Sequence, residues 1–310
     1  MSVGHLSWLE AAVIGAMQGV AELFPVSSLG HSVLIPALVG GSWARDLDVS
    51  SAESPYLAFI VGLHVATAAA LLVFFWRDWV RIVGGLLRSV RDREVRTPDQ
   101  RLGWLLVLAT IPVGVAGLLL EHTFRVVLSK PVPVAAFLAL NGLILLGAER
   151  LRRRAVVEPA PSTAATPAGT GTATSVVDDV DRQLATMPVR RAVGIGAAQI
   201  AALAPGISRS GVTMAVGLLR GLSHEDAARF SFLLSTPVIL AAGVLKLGDL
   251  AGPLGDGVRG QVLLGSALSF VGAYLSVRFL TRYFENRSLR PFGAYCLVVG
   301  IGCLVWFSVR

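Results

Sequence analysis

Residues 18–31 read Gln18-Gly19-Val20-Ala21-Glu22-Leu23-Phe24-Pro25-Val26-Ser27-Ser28-Leu29-Gly30-His31. An amide, a carboxylic acid, two hydroxyls and an imidazole sit here between apolar runs, and Pro25 and Gly30 interrupt any continuous helix. Residues 8–24 ahead of the break are apolar and rich in Ala and Gly. The run behind it, 29–40, is too short to cross a hydrocarbon layer of roughly 30 Å, which needs about 20 helical residues. The two halves therefore predict a re-entrant helical hairpin over 8–40 with its tip near Pro25–Ser28. Polar groups at membrane depth are costly and mark function.

The rest of the chain supports a membrane setting. Of its 310 residues 54% are hydrophobic and only 15% charged, against roughly a quarter charged in soluble domains. Mean hydropathy is +0.68. Full spans are predicted at 55–76, 102–121, 132–148, 227–248, 259–280 and 291–308. The net charge of +7 comes with arginines grouped in connecting segments, which suits cytoplasmic loops and argues against nucleic acid as a partner. Residues 1–8 have no basic n-region and no small-residue cleavage site, so no removable signal peptide is expected. Cys296 and Cys303 are spaced to share one helix face, where core packing explains both.

A second broken run, 192–220, repeats the first. A shift of 181 residues superposes Gly15, Ala16, Gln18, Ala21, Ser27 and Gly30 on Gly196, Ala197, Gln199, Ala202, Ser208 and Gly211. The chain is expected to be an all-α polytopic membrane protein with an internal two-fold repeat, each unit one re-entrant hairpin plus three spans, six full spans in all. Residues 1–150 form the first unit and 192–310 the second. Between them lies a cytoplasmic linker, 151–191, whose Pro/Ala/Thr/Gly-rich tract from Pro159 to Thr174 reads as disordered. Placing loop 77–101 in the cytoplasm also puts 149–191 and 281–290 there and leaves the arginine-free 249–258 outside. The hairpins then enter from opposite faces, an inverted-topology repeat with two tips meeting near the midplane.

The second tip, Pro205-Gly206-Ile207-Ser208-Arg209-Ser210-Gly211-Val212-Thr213, specifies an anion site. Arg209 can make paired hydrogen bonds to phosphate, and a helix starting near Ser210 aims N–H groups and a positive dipole end at the same spot. Gly206 permits close backbone approach, and Ser208, Ser210 and Thr213 add hydroxyls. An ion pair between Arg209 and Glu22 is the structural alternative. In the first tip Gln18 and Glu22 share a helix face and can offer oxygens to a hard cation such as Mg²⁺ or Ca²⁺. Ser27 and Ser28 lie at the break, with His31 within helical reach. A hydroxyl beside an imidazole is the arrangement of an activated nucleophile, and His31 could itself act as acid, base or nucleophile.

The first stretch resembles the (Glu/Gln)-x-x-x-Glu…Pro-x-Ser-Ser-x-Gly-His signature of the undecaprenyl-pyrophosphate phosphatases, the bacitracin-resistance membrane family. Pro205–Thr213 is similar to that family's Pro-Gly-x-Ser-Arg-Ser-x-x-Thr signature at every specified position, and Ala227–Pro237 resembles a further family segment. The likeness covers essentially the whole chain outside 155–190. It implies hydrolysis of a long polyprenyl diphosphate to the monophosphate, recycling the lipid carrier of cell-wall synthesis and conferring bacitracin resistance. It also implies dependence on a divalent cation, a bacterial plasma-membrane location and a site open toward the periplasmic side. Carried over residue by residue, the metal or acid–base pair falls on Gln18 and Glu22, the nucleophile on Ser27, the histidine on His31 and the phosphate-binding arginine on Arg209. Many members have Glu at the position of Gln18, so Glu22 must do more here. A homodimer is compatible with the family. The competing reading is a polyprenyl-phosphate transporter or flippase, since inverted repeats also build secondary transporters. The other membrane lipid phosphatases, with His-x-x-x-Asp after Ser-Arg, are excluded: the next histidine, His224, is followed directly by Glu225 and Asp226.

Overall fold

A computed structural model describes residues 6–48, 55–157, 181–251 and 257–309. Every regular element among the described residues is helical. The order is α1 (Trp8–Ala21), α2 (Ser28–Val39), α3 (Gly41–Asp46), α4 (Pro55–Phe74), α5 (Trp76–Asp92), α6 (Pro98–Leu128) and α7 (Pro131–Val157). After the linker come α8 (Val189–Ala197), a 3₁₀ segment (Ala198–Leu203), α9 (Arg209–Leu219), α10 (His224–Ala251), α11 (Arg259–Asn286) and α12 (Arg290–Val309).

Four of these helices, α6, α7, α11 and α12, contain stretches long and apolar enough to cross a membrane. A fifth crossing arises if Phe59–Phe74 and Trp76–Asp92 are taken together, although they meet at 87°. The span expected at 227–248 lies within α10, which is not one of the four. Helices α1 and α2 are apolar but short, as the hairpin reading requires.

Three boundaries differ from expectation. The arginine-rich loop 77–101 contains α5, whose inner face buries Asp78, Ile82, Gly85 and Ser89 while Val80, Val83, Leu87 and Val90 face outward. That division is typical of a helix lying in the membrane interface, and the arginines between the apolar residues hid its periodicity. The connection expected around Glu121–Lys130 is helical to Leu128, and the turn shrinks to Ser129 and Lys130 before Pro131 starts α7. Residues Arg150 and Arg152–Arg154 continue α7 instead of opening the linker, because nothing in that run breaks a helix. The tract Pro159–Thr174 lies outside the described residues.

Helix α1 starts with a capping box: the Ser7 side chain accepts from the Glu10 N–H, and Glu10 accepts from both the N–H and the hydroxyl of Ser7. It packs along α11, and α8 packs along α6. Both contacts bring backbones together at a glycine. A Cβ at Gly15 would come within 2.5 Å of Gly265 Cα, and one at Gly196 within 2.0 Å of Ala109 O. Small residues at such crossings replace the hydrophobic drive that lipid does not provide. Helices α2 and α9 both rest on α7, and α7 runs against α12. These contacts hold the two broken segments face to face.

Candidate active site

Each tip is built by a serine cap. Helix α1 ends at Ala21 with Glu22 as its C-cap, and the chain turns through Pro25 before Ser27 caps α2. Ser27 Oγ accepts from the Gly30 N–H at 3.2 Å. Its φ of +67° lies in the left-handed region that side-chain-bearing residues avoid. In the second tip the 3₁₀ segment leads into Pro205-Gly206, and Ser208 caps α9 by accepting from the Gly211 N–H at 3.1 Å. The two caps stand at positions related by the 181-residue shift. Gly206 has φ +112°, and a Cβ there would lie 2.5 Å from Val134 O, so only glycine fits.

The tips touch. A Cβ on Gly30 would lie 3.1 Å from Gly206 Cα. Asn141, a buried amide in the middle of α7, braces both: its Nδ2 donates to Pro25 O at 3.0 Å and its Oδ1 accepts from the Ser208 N–H at 3.0 Å. The Cys296 thiol adds a weak contact to Pro25 O at 3.7 Å, and Ser210 Oγ donates to Phe24 O at 3.3 Å. Cys303 is buried in the core, as expected.

Glu22 is the centre of the polar groups. Its Oε1 pairs with the guanidinium of Arg209 from the other tip. Its Oε2 accepts from Ser28 Oγ at 2.5 Å and from Gln18 Nε2 at 3.0 Å, and His64 Nε2 is 3.4 Å away. Gln18 Oε1 is buried with no hydrogen-bond partner. Next to this cluster, His31 Nδ1 lies 2.8 Å from Ser27 O and Nε2 lies 2.8 Å from Tyr295 Oη. A carbonyl only accepts, so Nδ1 carries a hydrogen, and in the neutral ring Nε2 accepts from the tyrosine hydroxyl.

The expected site residues thus converge, with adjustments to their duties. Gln18, Glu22, Ser28 and Arg209 meet directly. His31 contacts the carbonyl of Ser27, while the hydroxyl bonded to a carboxylate belongs to Ser28. Of the hydroxyls assigned to the anion clamp, Ser208 serves as the cap, Ser210 bonds Phe24 O, and Thr213 donates to Arg209 O at 2.7 Å within its own helix. Arg209 itself pairs with Glu22, the ion pair weighed in the sequence as the alternative to an anion site. Asn141, His64 and Tyr295 were not singled out in the sequence. A lone amide and a lone imidazole inside the apolar runs 132–148 and 55–76 were the available signals for the first two. Tyr295 gave none, since tyrosine is ordinary near a membrane interface.

Among the described residues no group of three or more His, Cys, Asp and Glu side chains gathers as a metal cage. Glu22, whose oxygens are engaged by Arg209, Ser28 and Gln18, and the unpartnered buried oxygen Gln18 Oε1 are the oxygens here that would be available to a hard cation.

Apolar helices of spanning length around a partly buried acid–arginine pair mark an integral membrane protein with a polar centre between its helices. A family model described as bacitracin resistance protein BacA matches residues 11–302, and the chain belongs to that family. It is 64% identical over 309 residues to the undecaprenyl-diphosphatase of Mycolicibacterium paratuberculosis, with 99% of each chain covered. Undecaprenyl-diphosphatase 1 of Frankia casuarinae is 53% identical over 370 residues, covering 99% of this chain and all of the relative (100%). Undecaprenyl-diphosphatase 2 of Chromobacterium violaceum is 42% identical over 298 residues, covering 94% of this chain and 96% of its own.

Proposed function

We propose that this protein is an integral-membrane phosphatase that hydrolyses undecaprenyl or a similar polyprenyl diphosphate to the monophosphate and inorganic phosphate. The observation that carries the reading is the Glu22–Arg209 pair, formed between the two tips with Ser28 bonded to the same carboxylate. Undecaprenyl-diphosphatase relatives that align end to end supply the substrate class.

The scaffold in this reading is a six-span inverted repeat, 1–150 and 192–310, in a bacterial plasma membrane with the site open to the outside. Support comes from the matched Ser27 and Ser208 caps and from the reciprocal packing of α1 on α11 and α8 on α6. The arginine distribution gives the orientation.

In the mechanism, the terminal phosphate of the substrate takes the guanidinium fork of Arg209 from Glu22. Glu22 Oε2, already hydrogen-bonded to Ser28, accepts the hydroxyl proton as Ser28 Oγ attacks phosphorus in line. The P–O bridge breaks, the polyprenyl monophosphate leaves, and water then cleaves the phosphoserine. Ser27 holds the turn: its hydroxyl caps α2, and its carbonyl fixes the ring of His31. A Mg²⁺ or Ca²⁺ ion, held by Glu22 and Gln18 Oε1, would neutralise charge on the diphosphate oxygens. Transport alone needs no serine poised on a carboxylate. Phosphate release from a polyprenyl diphosphate by the purified protein with divalent cation tests the proposal. Steady release is expected; no release, with lipid moving across vesicles instead, would overturn it.

A further inference from the structure

Beside the tips, α11 carries an open groove of about 520 Å³ that the phosphatase reading does not use. Arg278, Arg282 and Arg287 line it together with Leu275, Phe279 and Tyr283. None of the three arginines makes an ion pair among the described residues. Glu285, the nearby carboxylate of the same helix, does not line the groove and lies close enough to Glu225 to repel it. Above the arginines, Leu263, Val271, Leu275 and Phe279 form an outward apolar stripe along α11, each more than half exposed. A face with an apolar stripe ending in unneutralised guanidinium groups matches one kind of molecule: chains along the stripe, a phosphate at its basic end.

We infer that this groove binds an anionic phospholipid of the surrounding bilayer, its phosphate held by Arg278, Arg282 and Arg287 and an acyl chain lying along Leu263, Val271, Leu275 and Phe279. Basic pockets on membrane helices hold lipid head groups in this way, with on the order of 1 kcal/mol for each arginine near the surface. The groove also touches the site. Phe279 stacks on Phe24 at 6.0 Å between ring centroids and 8° between planes, and Phe24 O accepts from Ser210 of the second tip. Lipid in the groove therefore packs against the aromatic pair that backs the tip contact.

The test is native mass spectrometry of the full-length detergent-solubilised protein titrated with phosphatidylglycerol or phosphatidylcholine. The wild type should retain phosphatidylglycerol over phosphatidylcholine. In Arg278→Gln/Arg282→Gln/Arg287→Gln that affinity should fall on the order of 100-fold, three lost contacts of about 1 kcal/mol each. A control, Arg150→Gln/Arg153→Gln/Arg154→Gln, removes the same charge from the exposed end of α7 and should bind as the wild type does. Equal retention of both lipids, or equal loss in both variants, overturns the inference. So does displacement of phosphatidylglycerol by millimolar inorganic phosphate, which would make the groove a free-anion site. Because the readout is binding, the result does not depend on whether the protein hydrolyses polyprenyl diphosphate.

Discussion

Glu22 and Arg209, 187 residues apart in the chain, form one ion pair across the contact between the two broken segments. Each lies beside a serine-capped helix start, so the pair depends on both turns being held in register. Breaking a buried pair by removing one partner costs about 3–5 kcal/mol, because the other charge is left uncompensated. A phosphate that replaces Glu22 as the partner of Arg209 keeps the guanidinium compensated, while Ser28, Gln18 and His64 remain around the carboxylate.

The two adjacent serines should separate cleanly. Ser28→Ala removes the hydroxyl bonded to Glu22 and should lower kcat by about 10³-fold or more, as loss of a nucleophile does. Ser27→Ala removes a cap and should act mainly on the turn. Steady-state phosphate release measures both, and a Ser27→Ala loss exceeding that of Ser28→Ala would transfer the nucleophile to Ser27.

Ser27→Gly tests the strain at that cap. The positive φ of Ser27 disfavours a side chain by about 1–3 kcal/mol, whereas glycine at an N-cap costs only a few tenths. Thermal unfolding in detergent should show the variant at least as stable as the wild type. A lower Tm would mean that the turn is not strained.

Asn141→Leu keeps the branched heavy-atom skeleton but removes both arms of the brace. Pro25 O and the Ser208 N–H would each lose their amide partner, at about 1–3 kcal/mol per buried group. A lower Tm, together with faster amide exchange at Ser208, is expected. Asn141→Asp keeps one arm only, since a carboxylate can accept from Ser208 but cannot donate to Pro25. Its exchange at Ser208 should stay slow.

Gly15→Ala and Gly196→Ala probe the crossings that carry the hairpins. Both methyl groups would fall on backbone, at 2.5 Å from Gly265 Cα and 2.0 Å from Ala109 O, where no side chain can move aside. Overpacking of about 1–3 kcal/mol or more should lower Tm in both, with Gly196→Ala the worse. Gly114→Ala, which meets nothing within 4 Å, should be neutral in the same assay.

The breaks at Pro25 and Pro205-Gly206 and the short runs beside them made both hairpins legible, because proline and glycine act on the local backbone whatever surrounds them. The convergence of Glu22 with Arg209 was also legible once the two segments aligned. The amphipathic helix α5 was harder to read, since arginines alternate with its outward Val and Leu residues. The brace at Asn141 and the tyrosine on His31 depend on α7 and α12 packing against the tips, which no local pattern encodes. The choice between Ser27 and Ser28 rests on one residue's φ and on which hydroxyl meets Glu22; spacing alone made them equivalent.

The account stands or falls on the two tips acting as one catalytic unit. Phosphate release from a polyprenyl diphosphate should be measured for the wild type, Glu22→Gln, Arg209→Lys and the double variant, at saturating divalent cation. Each single change should lower kcat/KM on the order of 100-fold or more, since an amide cannot take the serine proton and a point charge cannot replace the guanidinium fork. The double variant should be little worse than the poorer single, as expected for groups that act together. Mild single effects, or losses that multiply independently in the double variant, would contradict it.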